Sequence, residues 1–576
     1  MRINPAISNQ NPPVVAGVSL SDVLAHLIAN TSLSSTRKRD LRSAVSRIAD
    51  LLESTPERLP ANIKQLKLLV SNIHPAQNDL STKSLQNIRS NLLAAVRHFL
   101  STENPVRRRK RLSSNWQCIY SQLPGKRFNS GLSRFVHFNS DHQIDPGDVN
   151  DEAVSTFVQD MTNNSFIPDK KRNDIHRRTT RLWNEVSSTI SDWPDQQLTM
   201  PDNRKPRNTH PLTDFPTSFQ ENVIAYLSWL EDKDVLAEDR PPGRCKPRTI
   251  SLRRSQIQLA VSALVMQGRN LDEIKSLVDL VKTEAVKDIL RYYLDKNNDE
   301  PTSFIQGLAI TLVSIAQHWV RVPDEHLADI RRVKRQLGGQ RIGMTDKNRY
   351  MLRQFDDDKN RRLLLNLPAQ LIQLANTQPT AKAAITTQKA IAIEILLMAP
   401  IRIANLITLR FDQHLIKPGG HRGQYHLVIP EHETKNGQSY EVRLPKQLTQ
   451  YIDQYRTRLL PAIVTGPNPN LFPNNLIGHK AQATLSQQIK ETINKYTGID
   501  LTGHQFRHLS GLFFLEENPG QYESVRQLLG HKHIKTTIAF YTGMNTKEAT
   551  RVYDDLILKE RNRLSAKASE KRKSGR

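Results

Sequence analysis

Residues 504–543 read HQFRHLSGLFFLEENPGQYESVRQLLGHKHIKTTIAFYTG. The first part has the apolar composition of a buried helix, and it sets His504 and Arg507 three apart, on one helical face where both side chains can meet one ligand. VRQLLG then reads as a helix that ends on Gly530 as its C-cap, with His531 just beyond it. The Thr-containing KTT opens another helix, which carries Tyr541. Each piece has an ordinary explanation when taken alone. A basic residue three after a histidine is common, and a tyrosine in a helix is usually a packing aromatic. His531 and His533 have the spacing of metal ligands, but no carboxylate or cysteine set accompanies them, so no metal site is expected.

Two further pieces lie upstream. Arg402 follows a nearly continuous apolar helix, AIAIEILLMAP, within the phrase PIRIANLITLRF. A guanidinium among apolar residues needs an anion, a carboxylate or free carbonyls, because leaving it unpaired is costly. It either serves an anion site or bonds the carbonyls at the helix end. YHLVIP (425–430) and YEVRLP (440–445) have strand composition. Asn436-Gly437 between them is the signal for a type I′ hairpin turn, which needs positive φ at both residues. Lys435 directly precedes that turn, where it is either solvated or swung into a cleft.

In order along the chain these are Arg402, Lys435, His504-x-x-Arg507, Leu-Gly-His531 and Tyr541. The ordered set resembles the tyrosine recombinase (phage integrase) family, whose catalytic domain carries Arg, Lys on a β-hairpin, His-x-x-Arg, Leu-Gly-His and Tyr. The resemblance covers about 390–545. In many members an acidic residue stands three after the first arginine, where this chain has Asn405. The interval from His531 to Tyr541 is one longer than the family's commonest, and the residue at the usual place, Phe540, has no hydroxyl. Tyr522 and Tyr553 lie too far from the Leu-Gly-His turn to substitute.

The resemblance implies metal- and ATP-independent DNA strand breakage and rejoining, with no cofactor. Tyr541 would attack the scissile phosphate to form a 3′-phosphotyrosyl bond. Arg402 and Arg507 would clamp the non-bridging oxygens. His504 and His531 would donate hydrogen bonds or assist proton transfer, and Lys435 would protonate the leaving 5′-oxygen. The implied function is site-specific recombination of duplex DNA for a mobile element, by a tetramer on DNA. The competing readings are a type IB topoisomerase-like enzyme and a non-catalytic DNA-binding accessory protein of the same fold.

Composition agrees with a nucleic-acid partner. The 576 residues carry Lys+Arg 82 against Asp+Glu 57, a net charge of +25, which favours a polyanion through counterion release. The basic residues also cluster, as in RRRKR (107–111) and 331–335. Only Cys118 and Cys245 are present, so a disulfide framework is excluded. No apolar run is read as approaching the roughly 18 residues of a membrane span, and the opening MRINPAISNQNPPVV lacks the order of a secretory signal. A cytoplasmic, nucleoid-associated protein is expected, with neither membrane nor small-molecule partner.

The expected fold is mainly α and multidomain: helical N-terminal DNA-binding units followed by an α+β catalytic domain with a small antiparallel sheet. Residues 1–103 read as a helical unit of SAM-like type, 104–195 as a second and 196–213 as a Pro-rich linker. By its pattern 214–345 resembles the family's core-binding domain, with a basic, Gly-containing linker over 331–348. The catalytic domain is expected over 346–560 and a basic tail over 561–576. Ser43 to Ala49 aligns with Ser130 to Val136, and a looser copy starts at Ser255, so one helical unit is read as reused along the chain.

Overall fold

A computed structural model describes residues 17–103, 112–202, 209–231, 241–339, 343–375, 378–474, 477–541 and 553–564. Among the described residues the chain is mainly helical, with one three-stranded antiparallel sheet. It divides into two compact units, Met1–Asp202 with Gly343–Arg576, and Asn203–Ile342. Four hydrophobic cores follow one another along the sequence, over Leu20–Val96, Trp116–Leu198, Phe215–Leu337 and Met344–Tyr541.

The first three cores are built on one plan, visible in a shared turn. Helices Ser35–Leu51, Gly125–Asp141 and Pro247–Met266 each end in a residue of positive φ: Glu53 (50°), Gln143 (58°) and Gly268 (92°). The next amide then reaches back to close the turn: Ser54 to the Ala49 carbonyl, Ile144 to Asn139 and Arg269 to Leu264. A 3₁₀ turn follows in each case, over Pro56–Arg58, Pro146–Asp148 and Leu271–Glu273. A basic side chain near the start of the long helix also crosses to a later one: Arg37 to Asn91, Arg127 to Glu185 and Arg253 to Thr311. The repeat read from the sequence is therefore present, but its register differs. Ser43 matches Ser133 rather than Ser130, a slip of about one helical turn. Such a slip preserves an apolar stripe spaced at three and four, so composition alone does not detect it.

Three other sequence readings need correction. Leu198, within the expected linker 196–213, is buried in the second core, its amide bonded to Asn184 Oδ1 at 2.8 Å. Residues 331–336, read as the start of a basic linker, are the last turns of helix Asp324–Gln336, whose Ile330 is buried. Ser303–Val320 is long and apolar enough to cross a membrane. It supplies Ile305, Leu308, Leu312 and Ile315 to the third core, as the central helix of a globular unit does.

Within the first compact unit the N-terminal helices are tied to the final core. Lys359 Nζ bonds Asp79 at 2.7 Å, and His74 lies against Gly498, the left-handed cap of helix Gln482–Thr497. Lys67 joins the first helical group to the second through the Thr162 carbonyl (2.9 Å) and Asp169 (2.6 Å).

The final core packs helices Asp358–Ala375 and Ala381–Met398 against helices Gln482–Thr497 and Gln505–Glu517. At its edge lie strands β1 (Leu415–Ile416), β2 (His426–Ile429) and β3 (Tyr440–Arg443), with Leu427 opposite both Leu415 and Val442. The β2–β3 hairpin has the expected strands but not the expected turn. Ten residues, 430–439, connect them through a 3₁₀ turn at Glu431–Glu433, and only Gly437 of the Asn-Gly pair has positive φ. The Asn436 side chain is committed elsewhere, as described below, and a two-residue turn would not let it reach.

The shared turn gives a test. A Cβ added at Gly268 meets nothing within 4 Å, so Gly268→Ala should lower stability by about 1 kcal/mol through backbone strain alone. Gln143→Gly should raise it by up to about the same amount, less the added unfolded-state entropy. Denaturation midpoints that do not move in these opposite directions would exclude a common strained turn.

Candidate active site

Helix Ala381–Met398 must stop at Ala399, because the following Pro400 disfavours helical backbone at the residue before it. The chain turns there, and Arg402 takes the extended N-cap position (φ −70°, ψ 142°) of the short helix Ile403–Ile407. Helix Tyr522–Leu529 ends on Gly530, whose left-handed φ of 55° suits a residue without Cβ and brings His531 back over the turn. Both predicted stops are present.

Arg507 joins the two. It is 6% exposed, on helix Gln505–Glu517. Its Nη1 donates to the Pro400 carbonyl at 2.6 Å and its Nη2 to the Leu529 carbonyl at 2.5 Å. Bonding to helix-end carbonyls was considered for Arg402, but here Arg507 does it. Arg402 is half-buried, and its Nη1 donates to Asn436 Oδ1 at 3.3 Å. Burial and the Arg402 charge pull the Arg507 guanidinium down to about 10.

The remaining cationic residues gather around this pair. His504 stands at the start of the Arg507 helix, exposed on one side. Desolvation and the charges of Arg507, Arg402 and Lys435 hold its imidazole below the ordinary range. His531 receives a hydrogen bond from, or gives one to, the buried Thr537 hydroxyl through Nδ1 (2.9 Å). Burial, then Arg507, Arg402 and Arg526, lower it to about 4. Lys435 is exposed on the β2–β3 connection, close enough for its charge to act on His504. Arg402, Lys435, His504, Arg507 and His531 thus come together from four separate segments. A small cleft on the two arginines is lined by Arg402, Asn405, Asn436, Tyr440, Arg507 and Gly530; Lys435, His504 and His531 stand outside its lining.

Tyr541 is placed differently from the expectation. It lies at the end of a helical run from Ile534, only 1% exposed. Its hydroxyl donates to the Arg507 carbonyl at 3.0 Å, and its ring covers Gly511, where an added Cβ would stand 2.3 Å from the phenol Cζ. Burial pushes the phenol well up, opposed by the Arg507 charge. Tyr541 therefore touches the site through Arg507 but does not line the cleft. Its helix is packed against the core, with Thr537 fully buried beside it.

Sequence reasoning missed several groups. Asn405, three after Arg402, has a partner the sequence did not suggest: it donates to the Glu433 carbonyl at 3.1 Å. His508 lies one helical turn after His504, with ring centroids 5.4 Å apart, and stacks on Phe540. Asn348 Nδ2 donates to its Nε2 at 3.4 Å, and burial with the nearby cations lowers it to about 4. The spacing from His504 was its only sequence signal. Tyr440 faces Arg507 from β3, its phenol raised to about 12 by burial.

Residues 366–548 match the phage integrase family. Among curated proteins none matches the chain in sequence. Three solved structures resemble it at low scores. XerA recombinase has 16% identity, covers 57% of this chain and 98% of its own, and gives a TM-score of 0.24. XerH site-specific recombinase bound to difH substrate has 14% identity, coverage of 60% and 99%, and a TM-score of 0.29. The integrase from mycobacterium phage Brujita has 14% identity, coverage of 56% and 89%, and a TM-score of 0.22.

The two depressed histidines fix a pH dependence. An ordinary histidine titrates at 6.5, and His508 and His531 are held near 4 in the folded chain. On acidification the unfolded chain takes up these protons first. Their contribution is complete above pH 6.5 and declines as pH falls toward 4. Thermal midpoints should drop over that window, and less so in His508→Gln, which keeps an acceptor for Asn348. A midpoint constant from pH 7 to 4.5 would refute these assignments.

Proposed function

We propose that this chain, a tyrosine recombinase of the phage integrase family by its residues 366–548, cuts and rejoins duplex DNA with Tyr541 as nucleophile. The observation that carries the reading is that Arg402, Lys435, His504, Arg507 and His531 lie within electrostatic reach of one another, with a small cleft on the two arginines and the Tyr541 hydroxyl on the main chain of Arg507. A cluster of basic residues in which no carboxylate pairs with either arginine among the described residues favours a polyanion, and the two arginines can offer planar donors to a phosphoryl group.

In this reading the phenol oxygen of Tyr541 attacks the scissile phosphorus and the 5′-oxygen leaves. The DNA 3′-phosphate stays bonded to the enzyme, which retains the bond energy for rejoining. Arg402 and Arg507 balance the charge on the non-bridging oxygens. His531 and His504, neutral at pH 7, can accept or pass the phenol proton. Lys435 supplies the proton to the 5′-oxygen. The Tyr541 helix must turn outward first, since its hydroxyl is occupied by the Arg507 carbonyl. Assembly as a tetramer on DNA and service to a mobile element belong to the same reading.

The burial of Tyr541 favours one alternative, a DNA-binding member of the family that does not cut. Covalent capture separates the two. Fragments of the DNA around the gene, nicked so that a cleaved end diffuses away, should give a protein–DNA adduct stable to denaturation, absent in Tyr541→Phe. If no fragment yields an adduct, the non-cutting alternative stands.

Lys435 has its own check. Lys435→Ala should slow cleavage by about 10²-fold or more. A sulfur in place of the 5′-oxygen leaves without needing a proton, so it should restore most of that loss. Equal defects on both substrates would remove Lys435 from the proton-donor role.

A further inference from the structure

Three chain segments must be held in register for the cleft to exist: the turn carrying Arg402, the β2–β3 connection carrying Lys435, and the Gly530–His531 turn. Arg507 ties the first to the third. Among the hydrogen bonds of the described residues, one side chain in the second reaches both of the others. Asn436 Oδ1 accepts from Arg402 Nη1 at 3.3 Å, and its Nδ2 donates to the Gly530 carbonyl. A primary amide is the group for this position, because it accepts from a guanidinium with one end and donates to a carbonyl with the other. Aspartate has no donor for Gly530, and lysine has no acceptor for Arg402.

The connection that presents Asn436 is itself fixed. Asn405 holds the Glu433 carbonyl, and the Thr434 hydroxyl donates to the Glu431 carbonyl while accepting from the Gln438 amide at 3.0 Å. Glu433 is further held by the buried His414, at 3.1 Å. The residue three after Arg402 is thus spent on supporting the connection. The orientation of Arg402 rests on Asn436, next to Lys435.

We propose that Asn436 is a positioning residue for DNA cleavage. Its amide aims Arg402 at the phosphate, locks that arginine to the turn bearing His531, and through its own backbone sets Lys435 beside them. This rests on the cleavage reading above, and concerns a residue which that chemistry does not otherwise require.

The test uses the full chain and the duplex recovered by covalent capture. A reacting group displaced by about 1 Å can cost about 10²-fold. Asn436→Ala should therefore form adduct about 100-fold more slowly, with the half-saturating duplex concentration and the thermal midpoint nearly unchanged. Asn436→Asp, which keeps the acceptor for Arg402 and loses the donor to Gly530, should recover about tenfold of that loss. In an Arg402→Ala background, Asn436→Ala should cost less than about threefold, because coupled residues are not additive. Wild-type rates in Asn436→Ala, a loss that tracks the thermal midpoint, or full additivity with Arg402→Ala would each overturn the assignment while leaving the cleavage reading intact. A wild-type chain that reacts with no duplex would overturn both.

Discussion

The architecture of the site depends on one buried guanidinium. Arg507 spends two donors on the carbonyls of Pro400 and Leu529, which belong to segments more than a hundred residues apart in the chain. Each carbonyl stands at a helix end, where the backbone has no partner of its own. Removing the guanidinium would strand two buried acceptors and part the segments that carry Arg402 and His531, a penalty of several kcal/mol by the usual cost of unsatisfied buried groups. The same residue's own carbonyl receives the Tyr541 hydroxyl. One arginine thereby fixes the cleft, supplies part of its positive field and holds the phenol at its rim.

Such a cluster is costly in the absence of an anion. Arg402 and Arg507 lower the proton affinity of His504 and His531, Arg402 also lowers that of Arg507, and all four are partly desolvated. The chain meets this by keeping the histidines neutral and by using amides rather than carboxylates as neighbours. Asn405 and Asn436 contribute hydrogen bonds without neutralising the field. A carboxylate at 436 would keep the acceptor for Arg402 but lose the donor to Gly530. The repulsion among the basic groups would be relieved by a bound polyanion, as expected where function and stability conflict.

The N-terminal half shows another economy. Three successive cores reuse a helix, a left-handed turn and a 3₁₀ turn, each braced by a basic side chain crossing to a later helix. The left-handed residue is Glu53, Gln143 or Gly268, so the backbone geometry is kept while the residue best suited to it is not. The second core also holds a cluster of Trp116, Trp183 and Trp193 in edge-to-face contact. Asp79 and His74 fasten the first of these groups to the final core.

Much of this was legible in the sequence. Apolar spacing gave the helices, strand composition gave β2 and β3, and Gly530 marked the helix end ahead of His531, because these are local rules acting over a few residues. The order of the polar groups pointed to the phage integrase family, which residues 366–548 match. What local rules could not give were the partners. Asn436 was read as a turn former, yet its side chain is claimed by Arg402 and Gly530, and the connection lengthens to allow it. Arg402 was weighed for helix-end carbonyls that Arg507 occupies. Tyr541 was read as an open nucleophile and lies packed on Gly511, with its hydroxyl on a carbonyl. The sequence alone determined the elements and the candidate reactive groups, through periodicity and residue chemistry. Tertiary structure decided which donor meets which acceptor, because that depends on distances between segments remote in the chain and on burial that only the folded core creates.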